Sequence, residues 1–195
     1  MSLFGGIKSG ALRAPQKFRI NGKKLPDILA AHAQFVRGGE GGVRAELAGA
    51  DLSRADLGKA NLMYADLQGA NLEGANLREA KLGSADLSKS NLRNADLRKA
   101  DCTETALSGA DLTEAQAGGA EFFRASMEQC IMKRADFVAA NFRDANIHGA
   151  DFEGANLKTA ILRETKLDGV DLSRAEGMDA AIMPRGYRSQ AATKT

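Results

Sequence analysis

The chain has 195 residues, 44% of them hydrophobic, no Trp, two cysteines and a formal net charge of +2. That length suits one domain with short extensions; Cys102 and Cys130 are too few for a disulfide framework and match no zinc-ligand spacing. No stretch approaches the ~18 apolar residues of a membrane span, and the opening MSLFGGIKSG lacks a charged start followed by a continuous apolar run, so no secretory leader and a reduced, cytoplasmic location are expected.

Residues 1–24 read as a basic, largely flexible arm. Residues 1–44 carry eight Lys/Arg against Asp27 and Glu40, whereas 45–182 carry 16 against 23 Asp/Glu, so a basic segment precedes a mildly acidic body. Within the arm, Asn21-Gly22 in KFRINGKKL is a hairpin turn signal. Residues 25–44 read as a capping helix and a Gly-rich hinge. Pro26 suits a first helical position and Gly38 a place just past the end. Ile28, Leu29, His32, Phe35 and Val36 fall on one helical face, expected to lie over the open apolar end of the segment that begins at residue 45. Gly38-Gly39-Glu40-Gly41-Gly42 has no Lys-Ser/Thr after it, so it is a hinge and not a phosphate cradle.

From residue 45 a period of five takes over. Of 28 positions from Ala45 to Ala180, 23 are Ala, and the exceptions are Ser90, Thr105, Cys130, Thr165 and Val170. Two residues after each comes a second series, Leu47 to Ile182, with Leu or Phe at 21 places and Ile or Met at four; Cys102, Ala117 and Gly177 depart. Asp or Asn usually stands between, and the frame runs without an insertion. On an α-helix such units would be offset by about 140°, leaving no apolar stripe. On a flat strand an odd period sends successive leucines to opposite faces. The chain keeps every leucine inside only by turning a corner once per unit, with Asp/Asn supplying the turn. Bulk is compensated along the way: at a spacing of 20, Ala117 falls between Leu97 and Phe137, and Cys102 between Leu82 and Phe122.

A(D/N)LXX over residues 45–184 resembles the pentapeptide-repeat family. The resemblance implies an all-β solenoid, a right-handed quadrilateral β-helix of about seven coils and roughly 34 Å length at the usual strand spacing, with a short N-terminal capping helix. Residues 185–195 read as a basic C-terminal tail.

No catalytic constellation emerges. The recurrent Asp residues are demanded by the repeat, His32 lies on an apolar helix face, His148 has no partner, and both cysteines point inward. A non-catalytic protein-interaction scaffold without cofactor or metal is therefore expected. Where the repeat is irregular, from Gln116 to Ala140, Phe123, Arg124, Ile131, Lys133, Arg134 and Val138 mark a candidate partner-binding site; Met63-Tyr64 is a weaker one. Ile182, Met183 and Tyr187 are a candidate homodimer contact, as the family implies. The resemblance also implies an alternative, DNA mimicry directed at DNA gyrase or topoisomerase IV and protection from their poisons. Duplex DNA carries one charge per ~1.7 Å, so a body of 16 cations against 23 anions is a poor imitation. Binding of nucleic acid or of an anionic membrane surface by the basic residues 8–44 has little aromatic interleaving and no amphipathic basic helix outside the cap to support it.

Overall fold

The computed structural model describes residues 11–187. From Glu46 onward the backbone repeats one operation. Parallel bridges join residues 20 apart, Glu46 to Asp66, Asp51 to Asn71, Asp56 to Asn76 and Asn61 to Lys81, and each series continues along the chain. The result is four ladders, called here sides 1 to 4 in that order. The molecule is a β-helix solenoid whose ladders are one bridge wide, because each unit contributes a bridge and then turns.

Backbone bonds account for that brevity. Asn71 N donates to Ala50 O at 2.9 Å, Leu52 N to Asn71 O at 2.8 Å and Arg54 N to Glu73 O at 2.8 Å, while Ala55 N closes the corner on Leu52 O at 2.9 Å. In the corners from Gly49 to Gly169 the third residue of the turn takes a left-handed φ, as Arg54 does at 56°. Seventeen such corner residues, Arg54 through Glu164, are not glycine. The left-handed region costs an L-residue about 1–2 kcal/mol; the ladder bonds and the burial of one Leu per unit offset it. The expectation that Asp/Asn would provide the turn is corrected in detail. Those residues sit on the ladder and their Oδ1 accepts the N–H two residues on, as from Ser53 to Asp51 at 3.0 Å and from Thr113 to Asp111 at 2.9 Å. The unusual dihedral falls three residues later.

From Ala45 to Leu162 the interior is filled by the Ala and Leu series, nearly all below 2% exposed. Three exceptions in the Ala series solve one problem alike. Thr105 Oγ1 donates to Leu82 O, Cys130 Sγ to Leu107 O and Thr165 Oγ1 to Phe142 O, at 2.7–2.9 Å and always 23 residues back. Buried Ser90 Oγ makes no such bond. Beyond Cys102 and Ala117 the core turns aromatic: Phe122 stacks on Phe142 at 5.1 Å and meets Phe137 edge-on at 5.9 Å.

At the N-terminal end residues 11–24 are not a free arm, which corrects the reading of 1–24 as largely flexible; residues 1–10 lie outside the described residues. Arg13 bridges Ala55, its N–H donating to Arg54 O and its carbonyl accepting from Asp56 N, so it occupies the edge of side 3. After a 3-10 turn at Pro15–Lys17, β1 (Arg19–Ile20) pairs antiparallel with β2 (Lys23–Lys24) across Asn21-Gly22. Phe18 is 3% exposed, with Arg13 stacked on its ring at 4.2 Å. The helix α1 spans Leu25–Val36. Its His32 is fully buried and accepts the Ala45 N–H at Nδ1, 3.0 Å away. Burial holds this imidazole below its usual pKa, against the pull of the Met63 backbone and with the Arg44 charge.

The C-terminal end departs from the frame that the sequence keeps. Asn156 still pairs with Glu176, 20 residues on, and Leu157 N donates to Glu176 O, 19 on, as elsewhere. Ile161 pairs with Ile182, 21 residues on. One residue has been taken up, and Gly177 stands at the slip with φ 72°; a Cβ there would lie 2.6 Å from Lys158 N.

Candidate partner-binding faces

The six residues singled out in the irregular repeats do not converge. Phe123 and Arg124 stand on side 4, Ile131, Lys133 and Arg134 on side 2, and Val138 on side 3, because five residues carry the chain round one corner. Sides 2 and 4 are separated by another side in either direction. Three of the cations are also engaged within the solenoid. Lys133 Nζ lies 2.9 Å from Glu153 and 3.0 Å from Asp151, which raise its pKa. Arg134 donates to Glu114 at 2.7 Å, and Arg124 lies 3.9 Å from Glu104 and from Asp144. Ile131 occupies a ladder place between Asp111 and Asp151 and is 40% exposed.

Side 4 carries the most developed feature. The Phe123 ring lies under the Arg124 guanidinium at 4.8 Å and near that of Arg143 at 5.7 Å. Gly83 and Thr103 precede it at equivalent places, and Tyr64, at the first corner of this side, is 47% exposed. Arg44 Nε donates to the Tyr64 carbonyl at 2.7 Å. Arg143 was not legible as a partner of Phe123, since 20 residues separate them and only the ladder offset unites them.

The C-terminal candidates separate in the same way. Ile182 is 41% exposed, while Met183 and Tyr187 pack against the core. Tyr187 helps line a concavity of about 260 Å³ with Leu167, Val170 and Leu172.

Chemistry-bearing groups are occupied elsewhere. Cys102 and Cys130 are free thiols sealed in the core; burial pushes the Cys102 thiol far up and that of Cys130 up to about 12. Among the described residues no three His, Cys, Asp or Glu side chains are grouped to hold a metal ion.

A solenoid with a 20-residue ladder offset and an A(D/N)LXX unit defines a class of repeat protein, and the sequence matches the family of pentapeptide repeats at residues 43–78, 75–113 and 120–158. The chain belongs to the pentapeptide-repeat family. Among solved structures it is similar to a pentapeptide repeat protein from the Arabidopsis thaliana thylakoid lumen, with 30% identity over 52% of this chain and 67% of that one and a TM-score of 0.45. It is also similar to HetL of the cyanobacterium Nostoc sp. strain PCC 7120, a protein involved in heterocyst differentiation regulation, with 28% identity over 73% and 86% and a TM-score of 0.36. QnrB1, a plasmid-mediated fluoroquinolone resistance protein, shares 18% identity over 74% and 88% with a TM-score of 0.31. No curated protein gives a match.

Proposed function

We propose that the chain is a non-catalytic protein-interaction scaffold, a right-handed four-sided rod of about seven coils closed at one end by α1, which presents side 4 to a protein partner in the cytoplasm. The observation that carries this reading is Phe123 held outward between Arg124 and Arg143, with Tyr64 exposed on the same side. Aromatic and Arg side chains dominate protein–protein hot spots, and a rigid ladder presents them without an ordering cost. A dimer through the C-terminal end belongs to the same reading, since Ile182 is exposed there; light scattering that shows only monomer removes it.

A photo-crosslinking residue placed at Phe123, at Tyr64 or at His148 on side 1 tests the scaffold in living cells. Adducts to one protein from the first two positions and none from His148 are expected. Adducts from all three positions alike would remove side 4 as the site. Adducts to gyrase or topoisomerase IV subunits would bring DNA mimicry forward, although Asp111, Glu114, Asp151 and Glu153 already hold cations in ion pairs.

A further inference from the structure

The layer formed by residues 11–44 covers the N-terminal end of the solenoid and has an outer surface of its own. It is anchored by Arg13 on the edge of side 3, by buried Phe18 and Leu25, and by the bond from Ala45 to His32. Nine of the twelve residues of α1 are apolar and Asp27 is its single charge, yet only Leu25 and His32 are buried. A helix apolar round most of its circumference calls for cover on more than one side. The solenoid supplies one side. At the margin of that contact Phe35, whose ring stacks on His32 at 5.8 Å, is still 38% exposed, and Val43 is 55% exposed. The two are neighbours: Val43 N donates to Ala31 O at 3.1 Å, and Gly42 passes so close that a Cβ there would stand 2.3 Å from Phe35 N. Leu12, 48% exposed, belongs to the same layer, so three of the six large exposed hydrophobic residues among the described ones lie here.

The same layer carries exposed cations. Lys17, Arg19, Lys23, Lys24 and Arg37 are exposed and form no ion pair among the described residues, in contrast to Arg93, Lys133, Arg134 and Arg143 on the sides. From Arg13 to Arg44 the layer holds seven Lys/Arg against Asp27 and Glu40. Aliphatic residues among unpaired cations, on an apolar helix flanked by Lys23, Lys24 and Arg37, match the headgroup zone of an anionic bilayer, which takes up both components. Two copies would not seat this surface on itself, since the same cations would face each other. Phe35 is the one ring of the three and is already stacked on His32, and Leu12 and Val43 have none, so a single-stranded nucleic acid would find little to stack on. No helix among the described residues is long and apolar enough to cross a membrane, so the contact is peripheral.

We infer that the N-terminal layer docks the solenoid end-on on an anionic lipid bilayer, with Phe35, Val43 and Leu12 entering the headgroup region and Lys23, Lys24 and Arg37 meeting the phosphates. The inference is independent of side 4. Its test is co-sedimentation of the full chain with phosphatidylcholine vesicles, with and without phosphatidylglycerol. Sedimentation with the anionic vesicles alone is expected, together with its loss when salt is raised until the Debye length falls to ~3 Å. Phe35→Asp/Val43→Asp and Lys23→Glu/Lys24→Glu should each weaken it by about tenfold or more. All four positions are exposed, and unchanged circular dichroism shows that the variants fold. Phe123→Asp should leave sedimentation as it was. Failure to sediment with anionic vesicles overturns the inference, including when duplex DNA is retained instead, and so does sedimentation indifferent to Phe35→Asp/Val43→Asp.

Discussion

At the N-terminal end of the solenoid the first inward residues, Leu47, Leu52, Leu57 and Leu62, are all at 1% exposure or less, whereas at the C-terminal end Leu167 and Val170 are only partly buried. The units themselves are nearly the same. What differs is the neighbour. A solenoid coil touches only the coils before and after it, so a terminal one depends on a segment outside the repeat. Residues 11–44 lie there: Arg13 bridges Ala55, buried His32 accepts the Ala45 N–H, and Ile28 and Leu29 pack against the core. At the other end the described chain offers Met183 and Tyr187 and a one-residue slip in register. Regular interior units are therefore interchangeable, and the ends carry the individuality of the molecule.

Insertion is the harshest way to break this comparison. One alanine between Gly109 and Ala110 would throw every later leucine off its ladder, and loss of cooperative urea unfolding is expected. The same insertion after Asp179, where the register has already slipped, should shift the midpoint by no more than about 1 kcal/mol. Core truncation sharpens the gradient: Phe142→Ala should cost about 3–5 kcal/mol in urea unfolding. Leu167→Ala, at a half-covered site, should cost only about 1 kcal/mol, because less apolar area is withdrawn from water. Gly177→Ala combines a left-handed φ with a contact on the Lys158 backbone. A loss of about 1–3 kcal/mol is expected, with faster hydrogen exchange confined to residues after ~160.

Between pH 7.5 and 5 the pH effect to expect lies at the N-terminal end. Burial holds the His32 pKa in the fold below its unfolded value. The unfolded chain then binds the extra proton as pH falls through ~6.5, so stability drops with acidification, by at most about 1.4 kcal/mol per pH unit. Asp96 and Asp111 act in a lower window. Burial raises their pKa values, but bonds from Arg98 and from Thr113 and Arg93 outweigh it and leave both below the usual range. Their stabilisation is present above ~3.9 and lost below it. Thermal midpoints between pH 7.5 and 5 should therefore fall in the native protein and stay nearly flat in His32→Gln; equal slopes would remove His32 as the cause. The smallest effect is expected for Cys130→Ala, within about 1 kcal/mol. It loses a bond to Leu107 O but restores the residue that most units carry.

Much of the fold was legible because a five-residue period admits so few geometries. Inward and outward positions, the hinge at Gly38–Gly42 and the hairpin turn at Asn21-Gly22 come from local chemistry. The candidate site was legible only residue by residue. Phe123, Ile131 and Val138 look like one cluster along the chain, yet a corner every five residues sends them to three sides. The partner of Phe123 is Arg143, found by adding the ladder offset. Docking of residues 13–24 gave no signal, since Arg13 binds the edge of side 3 through its backbone and any residue's backbone could do so.

By itself, then, the amino-acid sequence determined the repeat, the burial of its Ala and Leu series and the balance of Phe against Ala117 and Cys102, all consequences of periodicity and volume. Only the tertiary structure decided the rest. It placed the left-handed φ on the second X residue, because two stacked ladders leave no other point to turn. It slipped the register between Glu176 and Ile182, where the described residues provide no further coil to hold it. It left Phe35 38% exposed although its ring stacks on buried His32, and Val43 55% exposed, because a layer at the end of a solenoid has packing partners on one side only.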